Sequence, residues 1–315
     1  MAATGTVFST LLRTQRYLMS LGISRAIRGI PGAYAAYTRL YHRWAPREQV
    51  CMEIRGHKFY LDPQDMGMAR AFLLFGGRWE EMETRLFSSL VKDGMTVVDI
   101  GANVGYYTLL AAKLVGPRGT VYAFEPSPAN FALLSKNVEA NGYRNVVLVP
   151  KAVSENTGVA ELHIDRASSG GHSLGGFRGG VDSVAVETIS LDDYFRGANQ
   201  IIDVLKMDAE GAEPSILAGM SGLLAQNPNL TLLTEFFPRA MRGCGHSPEE
   251  FLHALSLCGF QVHPIDEDGE KVGSLDPARV SDLIDPLCRK GTERDVLNLL
   301  CVRRRHAPSP GELCR

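Results

Sequence analysis

The chain has 315 residues with 33 Lys or Arg and 35 Asp or Glu, which gives a net charge of -2. This length fits one large domain or two small ones, and the near-neutral charge gives no electrostatic reason to expect a nucleic-acid partner. The six cysteines include no C-x-x-C pair, which argues against a zinc site or a disulfide scaffold and favours a reducing compartment such as the cytoplasm.

Residues 1–49 predict a basic, helical N-terminal extension. Seven arginines precede the first acidic residue, Glu48. Such starts are typical of organelle transit peptides and of helices that lie on anionic membranes. The extension also carries aromatic residues, namely Tyr34, Tyr37, Tyr41 and Trp44. These aromatics favour packing on the main domain or on a second subunit of a homodimer, with peripheral membrane contact as the alternative.

Residues 50–94 predict a small cap that precedes the core. Residues 50–62 alternate as two short strands around an Arg-Gly turn, and residues 66–92 are predicted to be helical with a break at a glycine pair.

From residue 95 onward, strands and helices alternate, the pattern of a parallel sheet covered on both faces. The predicted strands are 95–100, 119–125, 145–149, 202–208, 230–236, 259–264 and 296–302, and the predicted helices are 103–115, 128–141, 212–226 and 248–258. We expect residues 95–305 to form the catalytic domain and residues 306–315 a flexible tail.

A glycine-rich loop at residues 165–183 interrupts this alternation. It lies between two short predicted strands, 159–164 and 184–190. A loop of this length inside a compact domain is expected to be disordered or a mobile lid.

The segment VVDIGANVGYYT (97–108) joins the first core strand to its helix. A dinucleotide loop follows G-x-G-x-x-G, but Asn103 replaces its second glycine and Gly105 is misplaced for its third. Asp99 would repel a pyrophosphate, and no G-K-[ST] follows for a P-loop. The same carboxylate would attract the ammonium group of S-adenosylmethionine, and Gly101 would let the backbone approach that ligand closely.

A second acid, Glu125, ends the next strand in VYAFEP, 24 residues after Gly101. A carboxylate there can accept hydrogen bonds from both ribose hydroxyls of the cofactor, although the same position also suits NAD. The other side chains that we expect to line the cofactor site are Tyr106, Thr108, Pro126, Ser127, Ala152 and Asp208.

These segments, together with ISLDDYF and above all IDVLKMDAEGAE, resemble the FkbM family of S-adenosylmethionine-dependent methyltransferases over about residues 80–262. The resemblance implies an α/β class I methyltransferase (Rossmann-like) fold. Its seven-stranded sheet has the order 3-2-1-4-5-7-6, with the seventh strand antiparallel. The resemblance also implies S-adenosylmethionine as cofactor and methylation of a hydroxyl group on a small molecule, a sugar or glycan, or a polyketide-type product.

Acids that follow two further strands are candidates for deprotonating an acceptor hydroxyl. Asp208 ends the fourth strand and can instead hold the methionine end of the cofactor, and Glu210 follows in the turn. Glu235 ends the fifth strand, where burial would raise its pKa toward the range of a general base. His172 in the glycine-rich loop is a further candidate base. Asp208 and Glu235 could bind Mg²⁺ together with substrate oxygens, but no third acid or asparagine is placed to complete the ligand set. We therefore name no metal ligand, and metal dependence stays an alternative.

Several alternatives stay open. An NAD(P)-dependent oxidoreductase or epimerase would share Glu125, but no Tyr-x-x-x-Lys pair is present around Tyr106 and Tyr107. A non-catalytic cofactor-binding subunit is the third possibility, which the candidate catalytic acids Asp208, Glu210 and Glu235 disfavour. A Lys-Asp pair like Lys206 and Asp208 occurs in enzymes that methylate RNA ribose, but no basic or aromatic groove is evident, so we interpret Lys206 as structural or as a salt-bridge partner.

Overall fold

The structure is a computed structural model that describes residues 8, 10–17, 32–175, 182–266, 271–273, 284 and 296–303, without the side chains of residues 33–35 and 271. The described residues divide into two compact units. One comprises those up to Trp79 together with Arg166–Ser169, and the other comprises Glu80–Asp165 and those from Gly170 onward. The predicted boundaries after residues 49 and 94 stay a prediction, and the predicted tail at 306–315 lies outside the described residues.

The smaller unit begins with basic helical segments. Its elements are helical residues 10–17, α1 (Ala33–Trp44), the antiparallel hairpin β1 (Val50–Ile54) and β2 (His57–Leu61), and α2 (Met68–Phe75). Tyr41 is completely buried, and its ring lies edge-on to Phe8 at 5.3 Å, in one apolar cluster with Met66. Residues 10–17 and 33–44 are helical, the extension at 1–49 as a separate part of the chain stays a prediction, and the side chain of Tyr34 lies outside the described part.

The larger unit is built on an eight-stranded sheet and a smaller three-stranded sheet. The strands are β3 (Thr96–Ile100), β4 (Thr120–Phe124), β5 (Val146–Val149), β6 (Ala152–Val153), β7 (Gly158–Ile164), β8 (Asp182–Ile189), β9 (Val204–Met207), β10 (Thr231–Phe236), β11 (Phe260–Asp266), β12 (Lys271–Val272) and β13 (Leu297–Arg303). The large sheet has the order β12-β11-β13-β10-β9-β3-β4-β5, and the small sheet has the order β6-β8-β7.

Without the two-residue edge strand β12, the seven long strands follow the predicted order 3-2-1-4-5-7-6. Strands β10, β9, β3, β4 and β5 run parallel, and β13 is antiparallel to both of its neighbours. All five residues of β3 are buried, as expected of a strand covered on both faces. The predicted class I methyltransferase sheet is therefore confirmed.

The helices of the larger unit pack around this sheet. They are α3 (Glu81–Leu90), α4 (Tyr106–Val115), α5 (Pro128–Ala140), α6 (Leu191–Tyr194), α7 (Glu213–Ala218), α8 (Ser221–Gln226), α9 (Pro238–Gly243) and α10 (Pro248–Leu257). The single helix predicted at 212–226 is wrong, because α7 and α8 are separate. The carboxylate of Asp192 caps a new helix start by accepting from the backbone N–H groups of Gly222 and Leu223 at 2.9 and 2.7 Å.

The glycine-rich loop joins β7 to β8, and its residues 176–181 lie outside the described residues. In the described part, His163 and Ser173 exchange two backbone hydrogen bonds, of 2.9 and 3.1 Å. The predicted disorder or lid motion of this loop stays a prediction.

Among the helices of the described residues, none is long and apolar enough to cross a membrane.

Candidate functional site

The register of the central strands brings the predicted acids to one edge of the sheet. β9 and β10 pair in parallel with Met207 opposite Thr234. Asp208 and Glu235 are the next residues along these adjacent strands. In an open parallel sheet, ligands bind beyond this carboxyl edge.

Gly101 lies at the same edge, where two chain segments approach each other closely. Its φ is 76°, in the left-handed region, and a Cβ atom there would lie 1.8 Å from the carbonyl oxygen of Asp208. Gly105 begins α4 with a φ of 98°, and a Cβ atom on it would lie 2.7 Å from Leu134 Cδ1. Both glycines are therefore required by the backbone path that forms the loop.

Asp99 is 2% exposed, and its Oδ2 atom accepts a hydrogen bond of 2.6 Å from the hydroxyl of Thr108. Burial raises the pKa of Asp99 to about 6, although the hydrogen bond from Thr108 lowers it. Thr108 is completely buried, and the hydroxyl of the buried Tyr106 lies 3.2 Å from Thr84 Oγ1. Contact of Thr108 and Tyr106 with a cofactor stays a prediction.

Glu125 is held by the loop that follows β3 and by the turn that follows β4. Its Oε2 and Oε1 atoms accept from the backbone N–H groups of Asn103 and Ser127, each at 2.8 Å. Burial raises the pKa of Glu125 to about 7 against these lowering hydrogen bonds. The side chain of Asn130 also hydrogen-bonds to Glu125, so the Glu125 carboxylate is fixed in orientation.

Asn103 supplies an unsatisfied acceptor beside this carboxylate. Its φ is 50°, a conformation that asparagine tolerates, and its Oδ1 atom is buried without a hydrogen-bond partner among the described residues. Since buried polar atoms are normally hydrogen-bonded, this oxygen is suited to a ligand donor. Ribose hydroxyls and an ammonium group are such donors, so the residues present fit S-adenosylmethionine.

The remaining predicted cofactor residues lie in two places. Pro126 is half-buried and Ser127 is buried at the start of α5, where the Ser127 hydroxyl caps the helix. Ala152 is buried in β6, in an apolar cluster with Leu162 and Val186 of the small sheet. Their contact with a cofactor stays a prediction.

A buried cation compensates part of the acidic charge. The Nζ atom of Lys206 lies 3.3 Å from Glu83 Oε1, 3.5 Å from Asp208 Oδ2 and 4.4 Å from the centre of the Tyr107 ring. Burial lowers the pKa of Lys206, but the carboxylates of Glu83, Asp208 and Glu80 outweigh this effect and raise it. The interpretation of Lys206 as a salt-bridge partner is confirmed.

Sequence reasoning missed Glu80 and Glu83. Glu83 is completely buried and accepts a 2.6 Å hydrogen bond from Asn298, whereas Glu80 accepts one of 3.0 Å from the hydroxyl of Tyr107. Burial and the neighbouring Glu83 raise the pKa of Glu80 well above its usual value. Glu80 precedes α3 and Glu83 lies in its polar first turn, where acids are common, so no local sequence signal distinguished them.

Two acids follow Asp208 in the turn to α7. Glu210 has a φ of 49°, and its carbonyl oxygen accepts a 3.2 Å hydrogen bond from Ser173. Glu213 is completely buried and accepts from the backbone N–H of Ala209 at 2.8 Å, with a pKa that burial raises to about 7. Glu213 therefore stabilises the turn that presents Asp208 and Glu210.

Glu235 combines burial with an unsatisfied oxygen. Its Oε2 atom is buried and has no hydrogen-bond partner among the described residues. Burial raises the pKa of Glu235 well above its usual value, and the negative charges of Asp208 and Glu210 raise it further. Such a carboxylate is a strong proton acceptor once it is ionised.

His172 is half-buried, and its Nδ1 atom accepts a 3.1 Å hydrogen bond from the backbone N–H of Asp165. This bond orients the ring, and a catalytic role for His172 stays a prediction. The described residues contain no group of three or more His, Cys, Asp or Glu side chains able to hold a metal ion.

Known proteins are similar to this chain. The sequence model of the methyltransferase FkbM domain matches residues 99–262. Methyltransferase 1 of Beauveria bassiana is 26% identical over 148 residues, covering 41% of this chain and 59% of the relative. Hexuronic acid methyltransferase AglP of Haloferax volcanii is 27% identical over 158 residues, covering 50% and 62%. The alignments thus span about three fifths of the length of these relatives.

Among solved structures, fibrillarin of Aeropyrum pernix with bound S-adenosyl-L-methionine is similar to this chain, with a TM-score of 0.41 and 14% sequence identity. The alignment covers 81% of this chain and 82% of fibrillarin.

Proposed function

Because this chain belongs to the FkbM methyltransferase family, we propose that it transfers a methyl group from S-adenosylmethionine to a hydroxyl oxygen. The acceptor class is a small molecule, a sugar or glycan, or a polyketide-type product. A relative that is named a hexuronic acid methyltransferase supports the sugar within this range.

S-adenosylmethionine supplies an electrophilic methyl group on a sulfonium centre. Asp99 and Asp208 are the carboxylates suited to its ammonium group, and Glu125 is suited to its ribose hydroxyls. The space that a Cβ atom on Gly101 would take is filled by the carbonyl oxygen of Asp208, so this glycine lets the cofactor loop pack against the turn that carries Asp208. Ionised Asp99 requires a pH above about 6, because burial raises its pKa to that value.

The observation that carries the proposal is the unsatisfied Oε2 atom of Glu235 beside Asp208 at the carboxyl edge. A hydroxyl group must lose its proton as the new C–O bond forms. Glu235 Oε2 accepts that proton, and its raised pKa makes it a stronger base than an exposed glutamate. The methyl-transfer rate therefore rises with pH through the raised pKa of Glu235.

The test begins with the acceptor. Metabolites of a strain that lacks the protein are profiled for species lighter by one methylene, and these are offered to the purified protein with labelled S-adenosylmethionine. Glu235→Gln lowers kcat by about 10²- to 10⁴-fold, the usual contribution of a general base, and leaves the affinity for S-adenosylhomocysteine unchanged. Wild-type turnover by Glu235→Gln would remove Glu235 from this role, and a methylated nitrogen or carbon in the product would overturn O-methylation.

A further inference from the structure

Two helical segments of the smaller unit expose side chains that include a stripe along one face of each helix. In residues 10–17 the exposed stripe consists of Thr10, Arg13, Thr14 and Tyr17, and in α1 it consists of Ala36, Arg39, Leu40 and Arg43. The spacing of three and four residues places each set on a single helix face. Both faces therefore present arginine to solvent.

Packing on the opposite faces fixes this orientation. Leu11, Leu12 and Tyr37 pack on the cluster that contains Tyr41 and Met66. The hydroxyl of Tyr37 also donates to Gln15 Oε1, which ties the two helical segments together. Turning the arginines inward would expose this apolar cluster, so the basic faces are a consequence of the fold.

Among the residues that the structure describes, no acidic side chain pairs with the arginines of these faces. Arg13, Arg39 and Arg43 are exposed and form no ion pair with a described residue, and no acidic residue precedes Glu48. The guanidinium group of Arg43 lies 5.8 Å from the centre of the Trp44 ring, a contact that leaves its charge uncompensated. The carboxylate of Asp65, in the same unit, accepts hydrogen bonds from the backbone N–H groups of Gly67 and Ala69 at the start of α2. The charge is therefore available to an external anion.

Exposed apolar side chains accompany the arginines. Leu40 lies between Arg39 and Arg43 on the same face and is 50% exposed, and Tyr17 beside Arg13 is 64% exposed. A soluble polyanion offers nothing for a leucine to bury against. An anionic bilayer offers both phosphate groups for arginine and acyl chains for leucine.

We propose that the arginine surface, defined as Arg13, Arg39, Leu40 and Arg43, docks the protein on an anionic phospholipid membrane. The surface lies within the smaller unit, so this inference does not depend on methyl transfer. Each arginine near an anionic surface strengthens membrane binding about fivefold, the equivalent of ~1 kcal/mol.

The test is co-sedimentation of the full-length chain with two kinds of vesicle, phosphatidylcholine alone and an equal mixture of phosphatidylcholine and phosphatidylserine. Wild type binds the mixed vesicles, and its binding weakens as salt rises. The triple variant Arg13→Gln, Arg39→Gln, Arg43→Gln binds them about a hundredfold more weakly. A matched variant, Lys92→Gln, Lys113→Gln, Arg144→Gln, removes the same charge from exposed positions of the larger unit and binds like wild type.

Leu40→Asn separates lipid from a soluble polyanion. This variant loses the salt-resistant part of vesicle binding but retains binding to heparin. No binding to the mixed vesicles, equal binding to both vesicle types, or an equal loss in the matched variant would overturn the proposal. Tight heparin binding without vesicle binding would assign the surface to a polyanionic partner instead.

Discussion

The Nζ atom of Lys206 lies 3.3 Å from Glu83 Oε1, and both side chains are almost completely buried. Strand β9 carries the lysine, whereas the glutamate comes from α3, more than a hundred residues earlier. The same Nζ atom also lies 3.5 Å from Asp208 Oδ2. One cation thus links the covering helix to the acid at the carboxyl edge of the sheet.

Lys206→Met should destabilise the protein by about 3–5 kcal/mol, because it leaves the buried charge of Glu83 without compensation. The deficit should shrink as the pH falls, since protonated Glu83 no longer carries the uncompensated charge. Urea unfolding at neutral and mildly acidic pH measures both effects. Lys113→Met at an exposed position is the control, with an expected change within about 0.5 kcal/mol. Equal stability of Lys206→Met and wild type would show that the ion pair contributes nothing.

Gly101→Ala should abolish cofactor binding and lower stability. The new Cβ atom would lie 1.8 Å from the carbonyl oxygen of Asp208, so the loop and the turn must move apart. Gly142→Ala is the matched control, because Gly142 also has a positive φ, 70°, but faces open space. It should cost only about 1 kcal/mol of backbone strain. Calorimetry with S-adenosylhomocysteine measures the binding, and normal binding by Gly101→Ala would show that the close approach of Gly101 to Asp208 is not needed to form the cofactor loop.

The affinity for S-adenosylhomocysteine should rise as the pH rises through about 6. Burial raises the pKa of Asp99 to that value, so the carboxylate that attracts the ligand ammonium is ionised only above it. Asp99→Asn should bind about ten- to a hundredfold more weakly at neutral pH, the value of a charge-assisted hydrogen bond, and should lose this pH dependence. Glu139→Gln at an exposed position of α5 should change neither property. A wild-type affinity that is flat between pH values on either side of 6 would exclude Asp99 from ammonium binding.

The stability of the unliganded protein should fall as the pH rises. Burial raises the pKa of Asp99 to about 6 and those of Glu125 and Glu213 to about 7. At pH values between the pKa of each acid in the unfolded chain and its raised pKa in the folded protein, the folded state binds more protons. The stability that these acids contribute in their protonated form is therefore complete below the unfolded pKa values. It is lost as the pH rises through about 6 for Asp99 and about 7 for Glu125 and Glu213. Chemical unfolding at a series of pH values should therefore show a decline over this window, with a smaller decline in Asp99→Asn. Rising stability over the same window would show that the buried acids do not control it.

The fold and the edge acids could be predicted from sequence, because strands buried on both faces are apolar runs that end where a polar residue begins. Asp99, Glu125, Asp208 and Glu235 each stand at such an end, and the parallel sheet aligns them.

The rest depends on tertiary contacts that no local pattern encodes. The break between α7 and α8 depends on Asp192 from another segment, and the pairing of Glu83 with Lys206 depends on where α3 packs. The orientation of Thr108 toward Asp99 follows from helix placement and not from residue type.

The most direct test of the central claim is calorimetric titration of the purified protein with S-adenosylhomocysteine and, separately, with NAD at a pH above 7. We predict micromolar binding of S-adenosylhomocysteine, loss of that binding in Asp99→Ala and Glu125→Ala, and no heat with NAD. No heat with S-adenosylhomocysteine together with tight NAD binding would contradict the assignment of the site to a methyl donor.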